Sequence, residues 1–511
     1  MPVDPRTPVI VGVGQFTERI DDPDYRGMSA VELATEAVRA ALADTGADVA
    51  AVAKAIEVFA GLRQFEICTP FASAPLGCSD NYIRSVAKRV GADPARAVLE
   101  SIGGNGSQKL VTEFAGAIAA GEIEVALILG SENGSTLKTF AGRDDKPDHS
   151  ETVGGQLDDR GYGFEQYMSE YTAKHGLTGA PVQYGLLDNA RRARLGLGVD
   201  DYRLEMAELF APFSKVAAKN PFSSSPVERS VEEVATVTAE NRMICDPYPR
   251  LMVARDTVNQ GAAALLMSVE AARKLGVPEE KWVYLHGHAD QREQDLLDRE
   301  DVSVSYSSKQ SVAEALRLAG ITIDDVATFD LYSCFPFPVF VVCDDFGLTA
   351  DDPRGLTLTG GLPYFGGPGN SYSLHGIAET VAAMRDKPGA FGLVGANGGV
   401  MSKYSVGVYS TTPTDWTPDN SKELQAEIAA LPKISVTRNA NGAGVIETYS
   451  VRYDWPECTG VIIGRLDADN SRFMAISTDE ALVALMTDGD PLGAAITVTA
   501  GEDEINRATL A

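Results

Sequence analysis

The chain is poor in the residues that build metal sites and disulfide frameworks. It contains six cysteines and five histidines among 511 residues. The cysteines show neither the paired spacing of a zinc site nor the density of a disulfide-stabilised scaffold. We therefore expect reduced thiols, a cytoplasmic protein and no metal site. The cysteines are Cys68, Cys78, Cys245, Cys334, Cys343 and Cys458.

Long apolar runs and an excess of positive charge are also missing. No uninterrupted apolar run reaches about 18 residues, and the first residues lack the basic-then-apolar pattern of a secretion signal. We therefore expect no membrane partner. Acidic residues outnumber basic ones by 72 to 44, which gives a formal net charge of −28. This charge argues against nucleic acid, because such binding depends on neutralising phosphates.

What the chain does contain is a series of β-α-β units, which predicts an α/β fold with a mainly parallel sheet covered by helices. Ser29 and Glu32 form the signature of a helix start.

Between about residues 138 and 236 charged turns alternate with helices, which indicates an inserted loop domain. After a linker rich in proline and threonine, Ser410 to Asp419, short alternating strands predict a small β-rich barrel of the OB type. We expect this tail to fold on its own.

The segment with the clearest chemistry is the turn Ser101-Ile-Gly-Gly-Asn-Gly-Ser107. It precedes a helix from Lys109 to Ala120, then Gly121, an apolar strand and a Gly-x-Glu ending at Glu132. This order resembles the core of the thiolase superfamily. The resemblance implies a nucleophilic cysteine in the turn, where a helix N-terminus lowers the pKa of a thiol. The corresponding residue here is Gly104, which cannot carry an acyl group.

Three further thiolase motifs can be located, and each lacks its reactive side chain. The segment beginning at Asp330 keeps the Cys-Phe of the HDCF form but has Tyr332 in place of the oxyanion-hole asparagine or histidine. The glycine-rich segment beginning at Gly360 has Gly367 where the activating histidine would be. The segment beginning at Gly395 has Ala396 and Asn397 at the second cysteine motif. Acyl transfer needs these groups, so we expect changed or abandoned chemistry.

The resemblance covers roughly residues 5–410 and is nearest to the sterol-carrier-protein branch, especially thiolase-like proteins of type 1 with an added C-terminal OB-like domain. It implies two similar βαβ halves in α/β/α/β/α layers: residues 1–275 with the insertion, residues 276–412, and an extra domain at 413–511. By analogy the protein is a homodimer, although a monomer is an alternative. Such sequences are often called acetyl-CoA acetyltransferases, an acyltransferase label that these residues do not support.

Three functions remain open from the sequence. The first is a thiolase-like protein of lipid metabolism that binds CoA thioesters without ordinary thiolase activity and needs no cofactor. The second is a retro-aldolase or other acyl-CoA lyase in which Tyr332 and His375 move the proton. The third is a non-enzymatic lipid-binding or scaffolding protein.

Several residues are candidates for the ligand site, each with a structural alternative. Tyr332 is either an oxyanion donor or a core residue, and His375 is either a displaced base or a residue that opens a helix. Cys334 is interpreted as a packing residue. His286 and His288 are interpreted as structural, because the sequence shows no third metal ligand near them. The candidate binding residues, the last three being a basic cluster for the phosphates of coenzyme A, are Gly104, Asn105, Gly366, Gly367, Asn397, Arg191, Arg192 and Arg194.

Overall fold

The computed structural model describes residues 3–163, 168–455 and 457–511. The strands are β1 (Pro8–Glu18), β2 (Val58–Leu62), β3 (Arg96–Glu100), β4 (Val125–Asn133), β5 (Asp158–Asp159), β6 (Met243–Cys245), β7 (Tyr248–Pro249), β8 (Asn259–Ser268), β9 (Val283–Arg292), β10 (Val326–Leu331), β11 (Phe391–Gly398), β12 (Lys403–Ser410), β13 (Gly442–Trp455), β14 (Glu457–Leu466), β15 (Arg472–Ser477), β16 (Ala495–Ala500) and β17 (Asn506–Leu510).

The α-helices are α1 (Ala30–Asp44), α2 (Val49–Ala55), α3 (Tyr82–Arg89), α4 (Gly106–Ala120), α5 (Gly134–Phe140), α6 (Glu170–Lys174), α7 (Ala180–Leu195), α8 (Val199–Ala217), α9 (Val231–Ala235), α10 (Val269–Leu275), α11 (Tyr306–Ala319), α12 (Phe337–Phe346), α13 (Tyr372–Asp386), α14 (Ser421–Ala430) and α15 (Glu480–Asp488). The predicted capping box of Ser29 and Glu32 is confirmed at the start of α1. No helix within the described ranges is long and apolar enough to cross a membrane.

The main sheet has ten strands in the order β10-β11-β12-β9-β1-β8-β4-β2-β3-β5. It is mixed, which corrects the expected mainly parallel sheet: β8 runs antiparallel to both β1 and β4, and β12 runs antiparallel to both β9 and β11. The sequence could not reveal this, because a strand buried on both faces has the same apolar run in either direction. The two halves of the sheet meet where Val9 and Ile10 of β1 pair with Tyr284 and Val283 of β9.

Helices α4 and α13 pack against each other between the two halves and share one hydrophobic core with the inner strands. Glycines in β1 let α1 approach the outer face closely. A Cβ on Gly14 would lie 2.1 Å from the carbonyl oxygen of Ala37, a distance that side chains do not tolerate. The layers therefore place the N-terminus of α4 next to the loop that leads into α13.

The tail forms a five-stranded unit, β13 to β17, with its own apolar core. It is also firmly docked. Arg452 of β13 pairs with Cys245 of β6, and Val461, Ile463 and Met474 belong to the same hydrophobic core as the inserted helices. The fully buried guanidinium of Arg472 donates hydrogen bonds to the carbonyl oxygens of Leu297 and Arg299. The tail is thus continuous with the rest of the fold.

The proline- and threonine-rich linker is anchored along its length by the His-x-His pair of β9. His286 contacts the carbonyl oxygen of Thr412, and the ring of His288 stacks on Trp416 with 4.2 Å between centroids. His288 also lies 2.8 Å from a carboxylate oxygen of Asp419. These contacts give both histidines a structural role. Within the described ranges no group of three or more His, Cys, Asp or Glu side chains is arranged to hold a metal.

Candidate functional site

A cavity of about 480 Å³ gathers residues from all four sequence motifs. It lies between the turn that opens α4, the segment after β10, the loop that leads into α13, and α7 of the insertion. Gly104, Tyr332, Gly367 and Asn397 all line it. Its other walls are largely apolar, among them Phe335 and Leu362. Motifs that are up to 293 residues apart in sequence therefore meet at one site, as the resemblance implies.

Tyr332 occupies the space that a side chain at position 104 would need. A Cβ built on Gly104 would lie 2.3 Å from Oη of Tyr332 and 2.5 Å from both Cε2 and Cζ. Real Cβ atoms do not approach other atoms so closely. The two residues are therefore coupled: Tyr332 in this position requires glycine at residue 104, and the glycine leaves room for the tyrosine.

The hydroxyl of Tyr332 faces this turn as a protonated donor. The residue is 7% exposed, and its ring packs edge-on against Tyr372 with 5.4 Å between centroids. Burial, with a smaller contribution from Cys334, raises the pKa of Tyr332 well above its ordinary value. No hydrogen bond among the described residues engages this hydroxyl. It is suited to donating a hydrogen bond to a ligand oxygen and unsuited to accepting a proton at neutral pH.

Side chains from the second half of the chain hold the turn before α4 in place. The amide oxygen of Asn370 accepts a hydrogen bond from the backbone N–H of Gly103 at 2.8 Å. The hydroxyl of Ser373 in α13 donates a hydrogen bond to the carbonyl oxygen of Gly104 at 2.7 Å. The Lys403 ammonium donates a hydrogen bond to the carbonyl oxygen of Ile102 at 3.0 Å. The turn is preorganised by these contacts, as an electrostatic binding site requires.

Cys334 and Asn397 belong to a polar network at the other wall. Asn397 donates to the hydroxyl of Tyr184 at 2.6 Å and lies 3.8 Å from Sγ of Cys334. Burial raises the pKa of the Cys334 thiol to about 12, so it stays protonated and is a poor nucleophile at neutral pH. Tyr184 stacks on Phe335 with 4.5 Å between ring centroids. This wall is shaped by packing, as the sequence interpretation of Cys334 expects.

Other candidates lie outside the cavity lining. His375 is fully buried within the first turns of α13, where Nδ1 contacts the side-chain oxygen of Gln15 at 2.7 Å. Burial lowers the pKa of His375 to about 3, which keeps the ring neutral. Asn105 contacts Ser405 and lines a smaller neighbouring cavity instead. Gly366 has a φ of +130° and packs against Gln260. The sequence pattern placed these residues near the motifs but could not tell which way each faces.

The basic cluster of α7 is already neutralised by carboxylates. Arg191 and Arg194 both pair with Asp344, at 2.8 and 2.7 Å, and Arg192 pairs with Asp490 of the tail at 2.7 Å. Arg191 and Arg192 are almost fully buried, at 3% and 1% exposure, and none of the three lines the cavity. A buried charge needs its ion-pair partner, because removal of the partner would leave an uncompensated charge in the protein interior. The arrangement therefore does not offer these arginines to the phosphates of a ligand.

Sequence reasoning missed several residues at the site. Tyr184, Asp256 and Asn370 line the cavity, and Glu132 lies directly behind it. Glu132 was visible as the end of the Gly-x-Glu pattern, and Asn370 within the glycine-rich segment, but neither pattern indicated proximity to Gly104. Tyr184 comes from the insertion, whose position over the cavity no local pattern predicts.

Comparison with known proteins bears directly on this fold. Residues 423–503 match the family described as the thiolase-like protein type 1 additional C-terminal domain. Over 247 residues, 45% of this chain and 61% of the relative, the chain is 24% identical to an acetyl-CoA acetyltransferase of Methanothermobacter thermautotrophicus. The chain thus matches about three-fifths of the length of that relative.

Two solved structures extend the comparison. An aldolase described as Ltp2-ChsH2(DUF35) has the same fold, with a TM-score of 0.57 at 19% identity, covering 80% of this chain and 99% of the other. A monomeric SCP2-thiolase-like protein type 1 from Mycobacterium smegmatis is 63% identical over 100% of both chains, with a TM-score of 0.87. The predicted thiolase fold with an extra β-barrel tail is confirmed. This chain belongs to the SCP2-thiolase-like proteins of type 1, which carry the additional C-terminal domain.

Proposed function

We propose that this protein binds CoA thioesters in the 480 Å³ cavity and catalyses neither thiolysis nor Claisen condensation. The observation that carries the proposal is the position of Tyr332 over Gly104. The cavity keeps its glycine-lined shape and its preorganised turn, which suit a thioester carbonyl. The space of the acyl-accepting side chain is filled by a phenol.

The remaining groups support the same conclusion. Thiolase chemistry needs a thiolate to hold the acyl group and a base to form that thiolate. Both thiols that line the cavity, Cys68 and Cys334, have a pKa that burial raises, and Gly367 carries no base. His375 lies outside the cavity lining and is neutral. Binding through hydrogen bonds from Tyr332 and the turn needs none of these missing groups.

Calorimetry with butyryl-CoA tests binding, and an acetoacetyl-CoA thiolysis assay tests the absence of thiolase chemistry. We expect saturable binding of one butyryl-CoA per chain and thiolysis no faster than the buffer control. A trapped acyl group on any cysteine, or thiolysis well above background, would contradict the second half of the proposal. If neither coenzyme A nor butyryl-CoA binds, the scaffolding alternative replaces it.

A second candidate, retro-aldol cleavage of a β-hydroxyacyl-CoA, is favoured by one observation, the protonated Tyr332 hydroxyl directed at the turn. In that reaction a base, for which the cavity-lining carboxylate of Asp256 is available, removes the hydroxyl proton, and the bond between the α and β carbons breaks. An aldehyde or ketone leaves, and the thioester enolate then takes a proton at its α carbon. A phenol that donates to the enolate oxygen stabilises the charge that develops there. The fold shared with an aldolase is consistent with this candidate.

For this candidate, Tyr332→Phe should lower turnover of a β-hydroxyacyl-CoA by about 100-fold, the usual scale for losing a positioned acid or oxyanion donor. The hydroxyl makes no hydrogen bond to the described protein, so the melting temperature should stay close to that of the wild type. Unchanged turnover would exclude a catalytic role for Tyr332. Tyr364→Phe, which removes another buried hydroxyl outside the cavity lining, is the matched control.

A further inference from the structure

A buried carboxylate lies directly behind one wall of the cavity. Glu132, at the end of β4, is 4% exposed. Both of its carboxylate oxygens accept a hydrogen bond from the same backbone N–H, that of Phe65, at 3.0 and 3.1 Å. The backbone N–H of Asn370 also stabilises its charged form, and because a carboxylate has about four acceptor positions, Glu132 can accept further hydrogen bonds.

The cavity comes close to this carboxylate through a residue that has no side chain. Gly369 lines the cavity, and its φ of +50° is in the left-handed region that favours glycine. A Cβ on Gly369 would lie 2.1 Å from Oε1 of Glu132. Asn370 follows in the chain, also lines the cavity, and binds the N–H of Gly103. Glu132 is therefore linked to the turn that would hold a thioester carbonyl through two consecutive residues, Gly369 and Asn370.

Two residues beside Glu132 each have a buried side-chain oxygen without a hydrogen-bond partner. In addition to burial, the like charges of Glu66 and of the cavity-lining Asp256 raise the pKa of Glu132. Oε2 of Glu66 is buried without a hydrogen-bond partner. Oδ1 of Asn133, a residue 1% exposed, is likewise unpartnered. Burial is the main reason that the pKa of Glu66 is raised to about 7 and that of Glu132 well above its ordinary value. Two buried acceptor atoms without a donor beside Glu132 point to a missing hydrogen-bond donor.

We propose that Glu132 accepts a hydrogen bond from a hydroxyl on the acyl chain of the bound thioester, which makes hydroxyacyl thioesters the preferred ligand class. This inference rests on the proposed thioester binding. With the carbonyl at Gly104 and Tyr332, a hydroxyl on the β carbon points toward Gly369 and Glu132. Glu66 is a positioning residue that acts by controlling the charge of Glu132. A plain acyl chain would leave the carboxylate buried and underbonded.

Calorimetry with two probes tests the inference. At about pH 8 the wild type should bind 3-hydroxybutyryl-CoA at least about 10-fold more tightly than butyryl-CoA, the scale of one hydrogen bond to a charged group. Glu132→Gln should reduce the preference below about 3-fold while still accepting the N–H of Phe65. Glu122→Gln, on an exposed residue after α4, is the matched control and should keep the preference.

The pH dependence of the ligand preference distinguishes an effect of Glu66 on the charge of Glu132 from a merely structural effect of the substitution. The wild-type preference should fall as the pH is lowered from 8, because burial raises the pKa of both carboxyls and the pair then takes up a proton. Glu66→Gln removes the like charge and should keep the preference at lower pH, even if Glu132→Gln does not fold. Equal wild-type affinity for the two probes would overturn this inference and leave the proposed function standing. Binding of neither probe would overturn the proposed function itself.

Discussion

A cysteine introduced at position 104 is expected to destabilise the protein and to produce no thiolase activity. In Gly104→Cys the new Cβ would lie within 2.5 Å of three atoms of Tyr332, whose ring is buried and packs edge-on against Tyr372. Overpacking of this kind costs about 1–3 kcal/mol. The loss is measured as a lower melting temperature and a lower urea midpoint.

A double-mutant cycle isolates the cause. Tyr332→Ala removes the obstructing ring, so Gly104→Cys should cost less in that background, with a coupling energy of about 1–3 kcal/mol. Gly116→Cys is the matched control, because it lies on the same α4 and its Cβ would meet only Trp416 at an ordinary 3.6 Å. Equal costs at 104 with and without the tyrosine would show that the two positions are independent. That result would remove the observation on which the proposed function depends.

Removing the tail after residue 412 is expected to abolish cooperative folding. The tail contributes Val461, Ile463 and Met474 to the core that also contains Tyr184 of the cavity wall. Arg472 additionally satisfies buried carbonyl oxygens of the main body. Each large core side chain is worth about 2–5 kcal/mol, against a total stability of about 5–15 kcal/mol for a typical domain. The truncated chain should show no cooperative thermal transition and should bind a dye specific for exposed apolar surface.

A nicked protein provides the control for this truncation. The linker has exposed residues at Pro413 and Asp415, so a protease site introduced there should be cut. The two fragments should nevertheless elute together on gel filtration, because the interface is intact and includes the pairing of Arg192 with Asp490. Release of a folded tail, together with a stable truncated body, would instead support the separable domain that the linker composition predicts.

The candidate site was only partly accessible from sequence. Motif order located Gly104, Tyr332, Gly367 and Asn397, and all four line the cavity. The structure places His375 and the arginines of α7 outside that lining, because proximity in sequence to a motif does not give the direction of a side chain. Arg191 faces Asp344, which lies 153 residues further along the chain, and no local pattern contains that pairing.

The sequence by itself determined the family and the thiolase fold with its added β-barrel, since each depends on residue identity and the local order of motifs. Only the tertiary structure decided that Tyr332 fills the space above Gly104, that the tail is built into the body, and that Glu132 stands behind Gly369. Those relations join residues from different elements. Their contacts depend on how helices and sheets pack in three dimensions, which periodicity and spacing along the chain do not record.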